Sequence, residues 1–314
     1  MLVVTNELAG RTEADSVAVA VKVLEGTGEA VEVVTCHAED DLDEFLDRRA
    51  GRTVVVVGGD GSLHTLLRHL WQRGEVQDCP LGLIPLGTGN DFARGVGIPI
   101  DPVAAAKLIV AGETRKVDLI VDDDGGVVVN AAHVGVGAEA AQAARPLKPW
   151  LRVAAFPIGA ILAGATAKGW RLKITVDGQI VADGMRSVLM AGIANARTIA
   201  GGTGELGPEA SPVDGVADVT VSYAVGPFAR IGFALALRRG RHPERADVVH
   251  VEGRDLEISG GPFNVNADGE LTGPVTHKRW RVVPHAWRLV LGSMSTVESR
   301  GTESQLAEDF HRNP

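Results

Sequence analysis

The sequence predicts a doubly wound α/β domain followed by an antiparallel, β-sandwich-like domain. Three observations carry this. Strand-like and helix-like segments alternate over roughly the first 110 residues, the pattern of βαβ units and a parallel sheet. Two glycine-rich turns, one at 58–61 and one at 87–89, each follow directly on a short apolar run. Beyond Arg115 the alternation stops, and short strand-like runs bounded by Gly, Asp or Pro take over.

In order, strands are predicted over 2–5, 31–35, 53–57 and 81–85, with helices over 12–24, 42–49, 62–72 and 102–110. The Val54-Val55-Val56-Val57 run closes on Gly58-Gly59 and reads as a strand buried on both faces. In the second half, strands are predicted over 117–121, 127–130, 171–176, 188–194, 216–222, 248–251, 255–258 and 263–267. Helical stretches interrupt them over 138–169 and 228–239. The domain limits expected are 1–115 and 116–295, with a polar tail over 296–314 that is disordered or packs back on the first domain.

Composition narrows the function. The 314 residues are 45% apolar and 23% charged, a globular balance, and aromatics are only 4%, so the core is aliphatic. A formal charge of −9 argues against a nucleic-acid partner. Cys36 and Cys79 are scattered, which fits a reducing compartment and excludes a disulfide scaffold or zinc cluster. No signal peptide is expected. The longest apolar stretch, 153–167, is 15 residues with Pro157, Gly159 and Gly164 inside it, whereas a span needs about 20. A cytoplasmic protein that meets a membrane only from its surface is expected.

The chemistry lies in the two turns. In Gly58-Gly59-Asp60-Gly61-Ser62, glycines let backbone N–H groups approach a phosphate, and the following helix N-terminus adds positive potential. Ser62 can cap that helix or bond a phosphate oxygen. The alternative is a plain strand-to-helix turn with an Asp cap; the preceding valine run favours the nucleotide site. In Pro85-Leu86-Gly87-Thr88-Gly89-Asn90-Asp91-Phe92-Ala93-Arg94, Thr88 offers a hydroxyl, and Asp91 a carboxylate for Mg²⁺ or a substrate hydroxyl. Two such loops can clamp a triphosphate from two sides.

These strings, GGDGSLH and PLGTGNDFAR, resemble the paired loops of the diacylglycerol kinase catalytic-domain family, which is related to the sphingosine and ceramide kinases. Phe263-Asn264-Val265-Asn266-Ala267-Asp268-Gly269-Glu270 resembles that family's late DGE motif, and Ser211-Pro212-Val213-Asp214-Gly215-Val216 its structural Mg²⁺ loop. Asn6-Glu7-Leu8-Ala9-Gly10 resembles its first Asn-Pro-x-x-Gly turn, with Glu7 in place of Pro. The resemblance implies an NAD kinase/diacylglycerol kinase-like fold and a kinase using ATP and Mg²⁺ on a diacylglycerol-like lipid. It also implies peripheral contact with a membrane surface, and a homodimer. Asn6, Gly10 and Thr35 would line the nucleotide; Gly58, Gly59, Asp60, Gly61, Ser62, His64, Gly87, Thr88, Asn90 and Asp91 would form the phosphate region. Asp60 would act through Mg²⁺ or on the phosphates. Asp268 would take the proton from the acceptor hydroxyl with Glu270 as its partner, or the two roles are swapped. Ser211, Asp214 and Val216 would hold a second Mg²⁺ through hard oxygen ligands.

The sequence departs from the family at His64-Thr65, where Asn-Glu is usual. His64 is expected on the helix surface rather than in the chemistry. An apolar face over 149–169, with Trp150, Phe156 and Ile161, fits either an acyl-chain cleft or core packing. Arg238, Arg239, Arg241 and His242 fit either anionic lipid heads or a solvated surface. Two other readings stand beside the lipid kinase: a kinase of the same superfamily acting on a sphingoid base or NAD, and a non-catalytic nucleotide- or lipid-binding relative. A Rossmann dehydrogenase fits poorly, because no GxGxxG follows the first strand and no acidic residue is suitably placed for a ribose.

Overall fold

A computed structural model describes residues 1–6, 11–37, 41–136, 138 and 169–292. The predicted helical stretch over 138–169, the turn at Gly10 and the 296–314 tail fall largely or wholly outside these residues.

The first half runs β1 (Leu2–Asn6), α1 (Arg11–Glu25), β2 (Glu32–Cys36), α2 (Asp41–Arg48), β3 (Val54–Gly58), α3 (Asp60–Gln72), β4 (Pro80–Pro85), α4 (Asp91–Gly95) and α5 (Pro102–Ala111). The four strands are parallel in the order β4-β3-β1-β2. Residues 54–57 are buried throughout, as a strand covered on both faces must be. Asp101 caps α5 by accepting from Ala104 N at 2.8 Å, with Pro102 at the first turn where its missing N–H costs nothing.

The second half runs β5 (Glu113–Asp122), β6 (Val127–Val128), β7 (Ala131–Gly135), β8 (Leu172–Val176), β9 (Gln179–Asp183), β10 (Met190–Ala194), β11 (Thr198–Ile199), β12 (Gly204–Glu205), β13 (Ala217–Ser222), α6 (Pro227–Leu237), β14 (Val248–Gly253), β15 (Asp255–Ala267) and β16 (Glu270–Leu291). Its strand pairings are antiparallel. β15 pairs β8 over Leu256–Gly260 and β7 over Val265–Ala267, with an irregularity between Ser259 and Phe263. One bent strand thus serves two layers, and side chains of β8, β10, β13 and β15 share the core between them.

β16 was not anticipated from the sequence. Its first part pairs β15, its later part pairs β5, and Arg288–Leu289 run parallel to Pro80–Leu81 of β4. Ala286, Trp287, Leu289 and Leu291 are therefore buried in the core of the first half. Pro274, Pro284 and a run of charged residues break the alternation by which a strand is recognised. No helix among the described residues is long and apolar enough to cross a membrane.

Candidate active site

Both glycine turns leave the C-terminal edge of the parallel sheet, the edge where doubly wound folds take ligands. Gly58 and Pro85 are register partners, and Leu86 N donates to Gly58 O at 3.0 Å. The turns touch backbone to backbone. A Cβ on Gly59 would lie 2.8 Å from Gly87 Cα, and one on Gly87 2.5 Å from Gly59 Cα, so neither position tolerates a side chain without displacing the other loop. Gly59 is the N-cap of α3 and supplies no side-chain cap; the Asp60 N–H turns back on its own carboxylate, and the N–H groups after it have no cap from Gly59. Gly61 and Thr88 are exposed beside this opening.

Asn90 clamps the second turn. Its Oδ1 accepts from Gly87 N at 2.9 Å and its Nδ2 donates to Gly87 O at 2.7 Å, while φ of 52° places it in the left-handed region that Asn tolerates. Asp60 then caps α4, accepting from Asp91 N and Phe92 N, both at 3.0 Å. The Asp91 carboxylate reaches the second half and accepts from Gly201 N at 2.9 Å and Gly202 N at 2.7 Å. Thr198 adds a hydroxyl bond to Asp91 O at 2.7 Å. Burial pushes the Asp60 carboxyl above its ordinary range, with the Asp91 and Phe92 N–H groups pulling against it and the Asp268 charge adding to it. Burial likewise raises Asp91, opposed by the Gly201 and Gly202 N–H groups and reinforced by Asp60.

Asp268 and Gly269 form the two-residue turn between β15 and β16, with φ of 48° and 91°, the positive pair that an Asp-Gly hairpin adopts. The turn brings Asp268 onto the link between β6 and β7. Its carboxylate accepts from Val129 N at 2.6 Å, Asn130 N at 2.9 Å and Ala131 N at 3.1 Å. It also lies 3.0 Å from His64 Nδ1, and its side chain is only 1% exposed. A carboxylate only accepts, so Nδ1 is the donor and Nε2 faces the other way, 3.8 Å from Glu270 Oε2. Glu270, by contrast, is 56% exposed.

His64 corrects the expectation of a surface residue: it is 4% exposed, because the Asp268 turn from the second half covers that face of α3. Burial alone would lower its pKa, but the hydrogen bond and charge of Asp268, with the charge of Glu270, outweigh burial and raise it.

The structure thus gathers Gly58, Gly59, Asp60, Gly61, Ser62, His64, Gly87, Thr88, Asn90, Asp91, Asp268 and Glu270 at one edge. Asn6 is the last residue of β1 and Thr35 the last but one of β2, on the same edge. Ser211, Asp214 and Val216 lie elsewhere, in a loop held by Asp118, which accepts from Gly215 N and His285 N, each at 2.7 Å. Asp214 is exposed overall and accepts from Val216 N at 3.0 Å; partial loss of solvent at its carboxyl, followed by the charges of Asp118, Glu252 and Asp218, raises its pKa against that hydrogen bond. Sequence reasoning missed Asp118, Asn130 and the Gly201–Gly202 turn. The Gly-Gly pair was the visible signal; the other two act through partners remote in sequence.

Residues 1–121 match the family model described as diacylglycerol kinase catalytic domain, and residues 130–291 match the YegS C-terminal NAD kinase beta sandwich-like domain. A Mycobacterium tuberculosis protein named diacylglycerol kinase is 30% identical, the match covering 79% of this chain and 80% of that one. A Shewanella frigidimarina protein named probable lipid kinase YegS-like is 31% identical, covering 80% and 79%. The crystal structure of a putative diacylglycerol kinase from Bacillus anthracis superposes with a TM-score of 0.74 at 19% identity, over 93% of this chain and 96% of that one, a likeness of fold.

Proposed function

The chain belongs to the diacylglycerol kinase catalytic-domain family, with the YegS-type C-terminal domain, and is a lipid kinase; from that premise we propose that it transfers the γ-phosphate of ATP to the hydroxyl of diacylglycerol or a related lipid alcohol. The product would be phosphatidic acid or its equivalent. One observation supports this most directly: the N-terminus of α3, with no side-chain cap from Gly59, and the exposed carboxylate of Glu270 share the same sheet edge, with His64 between Glu270 and Asp268.

Phosphoryl transfer requires alignment and charge neutralisation more than covalent help. The α3 N–H groups, Gly59, Gly61 and Thr88 would hold the phosphates. Glu270 is the carboxylate free to receive the proton as the acceptor oxygen bonds to the γ-phosphorus and ADP departs. Asp268 has both oxygens engaged by three N–H groups and His64, so we assign it the positioning role and Glu270 that of base. A protonated His64 would attract Glu270 by charge, its Nε2 standing 3.8 Å from Oε2.

Mg²⁺ would meet hard oxygen donors here: Asp60 Oδ2 and Asp91 Oδ2 converge beside Gly89, 3.1 and 3.5 Å from where its Cβ would stand, and the charge of Asp60 helps to raise Asp91, which a divalent cation would relieve. When bound it would neutralise the phosphates. The Ser211 carbonyl, the Asp214 carboxylate and the Val216 carbonyl would hold a second Mg²⁺, since all three are hard oxygen donors in one loop.

The test is transfer of labelled γ-phosphate from ATP into a panel of lipids in detergent micelles, with Glu270→Gln as the control. Label is expected in one lipid class, and the variant should be slower by about 10²–10⁴-fold. Label in no lipid, with ATP still bound, would sink the lipid-kinase reading for this chain.

A further inference from the structure

Helix α6 buries one face and leaves another apolar face in solvent. Phe233, 4% exposed, anchors it in a cluster with Leu206, against which Ile199 and Leu237 also pack. On a different face Phe228, Ile231 and Leu235 are 87%, 59% and 51% exposed. Spacings of three and four residues put them in one stripe along the helix. They are three of the eight large apolar side chains exposed among the described residues, gathered on a helix of 11 residues, so they are a patch and not scatter.

The stripe runs into Arg238 and Arg239 at the helix C-terminus. Both are exposed, and neither makes an ion pair among the described residues. The rest of the basic cluster read from the sequence dissolves: Arg241 is paired with Glu244 at 2.9 Å, and His242 is buried and pushed down to about 4, by burial first and then by His250. Two cations without an ion pair among the described residues lie beside an apolar stripe, on a chain of net charge −9, and give this face the charge that an anionic sheet attracts.

We propose that α6 docks on the surface of an anionic lipid bilayer, with Phe228, Ile231 and Leu235 in the headgroup–acyl boundary and Arg238 and Arg239 on lipid phosphates. The choice of a bilayer rests on the lipid-kinase reading; the stripe and the arginines do not. The helix lies in plane, the arrangement of an interfacial helix. Its inner side meets Ile199 and Leu206, which flank the turn where Gly201 and Gly202 hold Asp91, so docking sets the phosphate edge at a fixed place relative to the lipid.

The experiment is co-sedimentation of the full chain with phosphatidylcholine vesicles, with and without phosphatidylglycerol. Binding is expected only with the anionic lipid and should weaken with salt. The pair Arg238→Gln and Arg239→Gln should weaken it about 30-fold, at about 1 kcal/mol for each arginine. The triple change Phe228→Ser, Ile231→Ser, Leu235→Ser should abolish binding, leave the melting temperature unchanged, and spare phosphorylation of lipid in detergent micelles. Variants that bind as tightly as the wild type, a wild type that binds neither vesicle, or a triple variant with a lowered melting temperature and unchanged binding would each overturn the proposal. Vesicle binding that needs α6, with no lipid phosphorylated in micelles or vesicles, would leave docking standing and remove the kinase reading.

Discussion

A single carboxylate, Asp268, receives three backbone N–H groups and an imidazole, and its surroundings show what sequence can and cannot reveal about a residue. The GGDGS and GTGND strings are legible because the chemistry of a phosphate turn is local: glycines, a hydroxyl and a helix start must be adjacent. The His64–Asp268 bond joins residues 204 apart, so nothing near either one announces it. The consequence can be measured. His64 is held above the ordinary histidine range by Asp268 and Glu270 despite burial. A folded-state pKa above the unfolded value means that the protonated form stabilises the fold. That contribution is complete below the unfolded pKa of about 6.5 and is lost as pH rises through the folded value. The stability difference between wild type and His64→Gln, from urea melts, should therefore be larger at about pH 6 than at about pH 9. An equal difference at both would mean that Asp268 does not hold the charged form.

At the scale of elements, the parallel half was readable in order because its buried strands alternate with helices that have clear starts, such as Asp101-Pro102. Strand β16 was not, since its prolines and charges lie where one face meets solvent. The hairpin β11–β12 was also missed: two residues per strand leave no period to detect. Yet that hairpin is tied to the second glycine turn by Asp91, and an element so short depends on such ties. Asp91→Ala frees the Gly201 and Gly202 N–H groups and should speed hydrogen exchange at both amides, with about 1–3 kcal/mol lost from global stability. Exchange as slow as in the wild type would show that the turn is held by something other than Asp91.

For the whole molecule, the division near residue 115 is proposed as one of sequence order, because β16 belongs to both halves. It pairs β15 in one and lies beside β4 in the other, with Trp287 fully buried in the first core. A chain ending at Val283 keeps every glycine turn and every carboxylate of the site but loses Ala286, Trp287, Leu289 and Leu291 from that core. Burial of side chains of this kind stabilises by about 1.5–3 kcal/mol each for the larger ones, so the truncated chain should show no cooperative melting of the first half by circular dichroism. A melt like that of the full chain would mean that β4 needs no neighbour on that flank.

The same strand sets a timetable. Protein synthesis delivers β1 to β4 first, but the segment that flanks β4 follows only after the other strands of the second half. Most domains can fold as they leave the ribosome, first half first. Here the first half waits for its closing strand, and pairings of such long sequence separation form slowly. The nascent chain therefore carries an open β4 edge until β16 has been made, and β16 then completes both halves in one event.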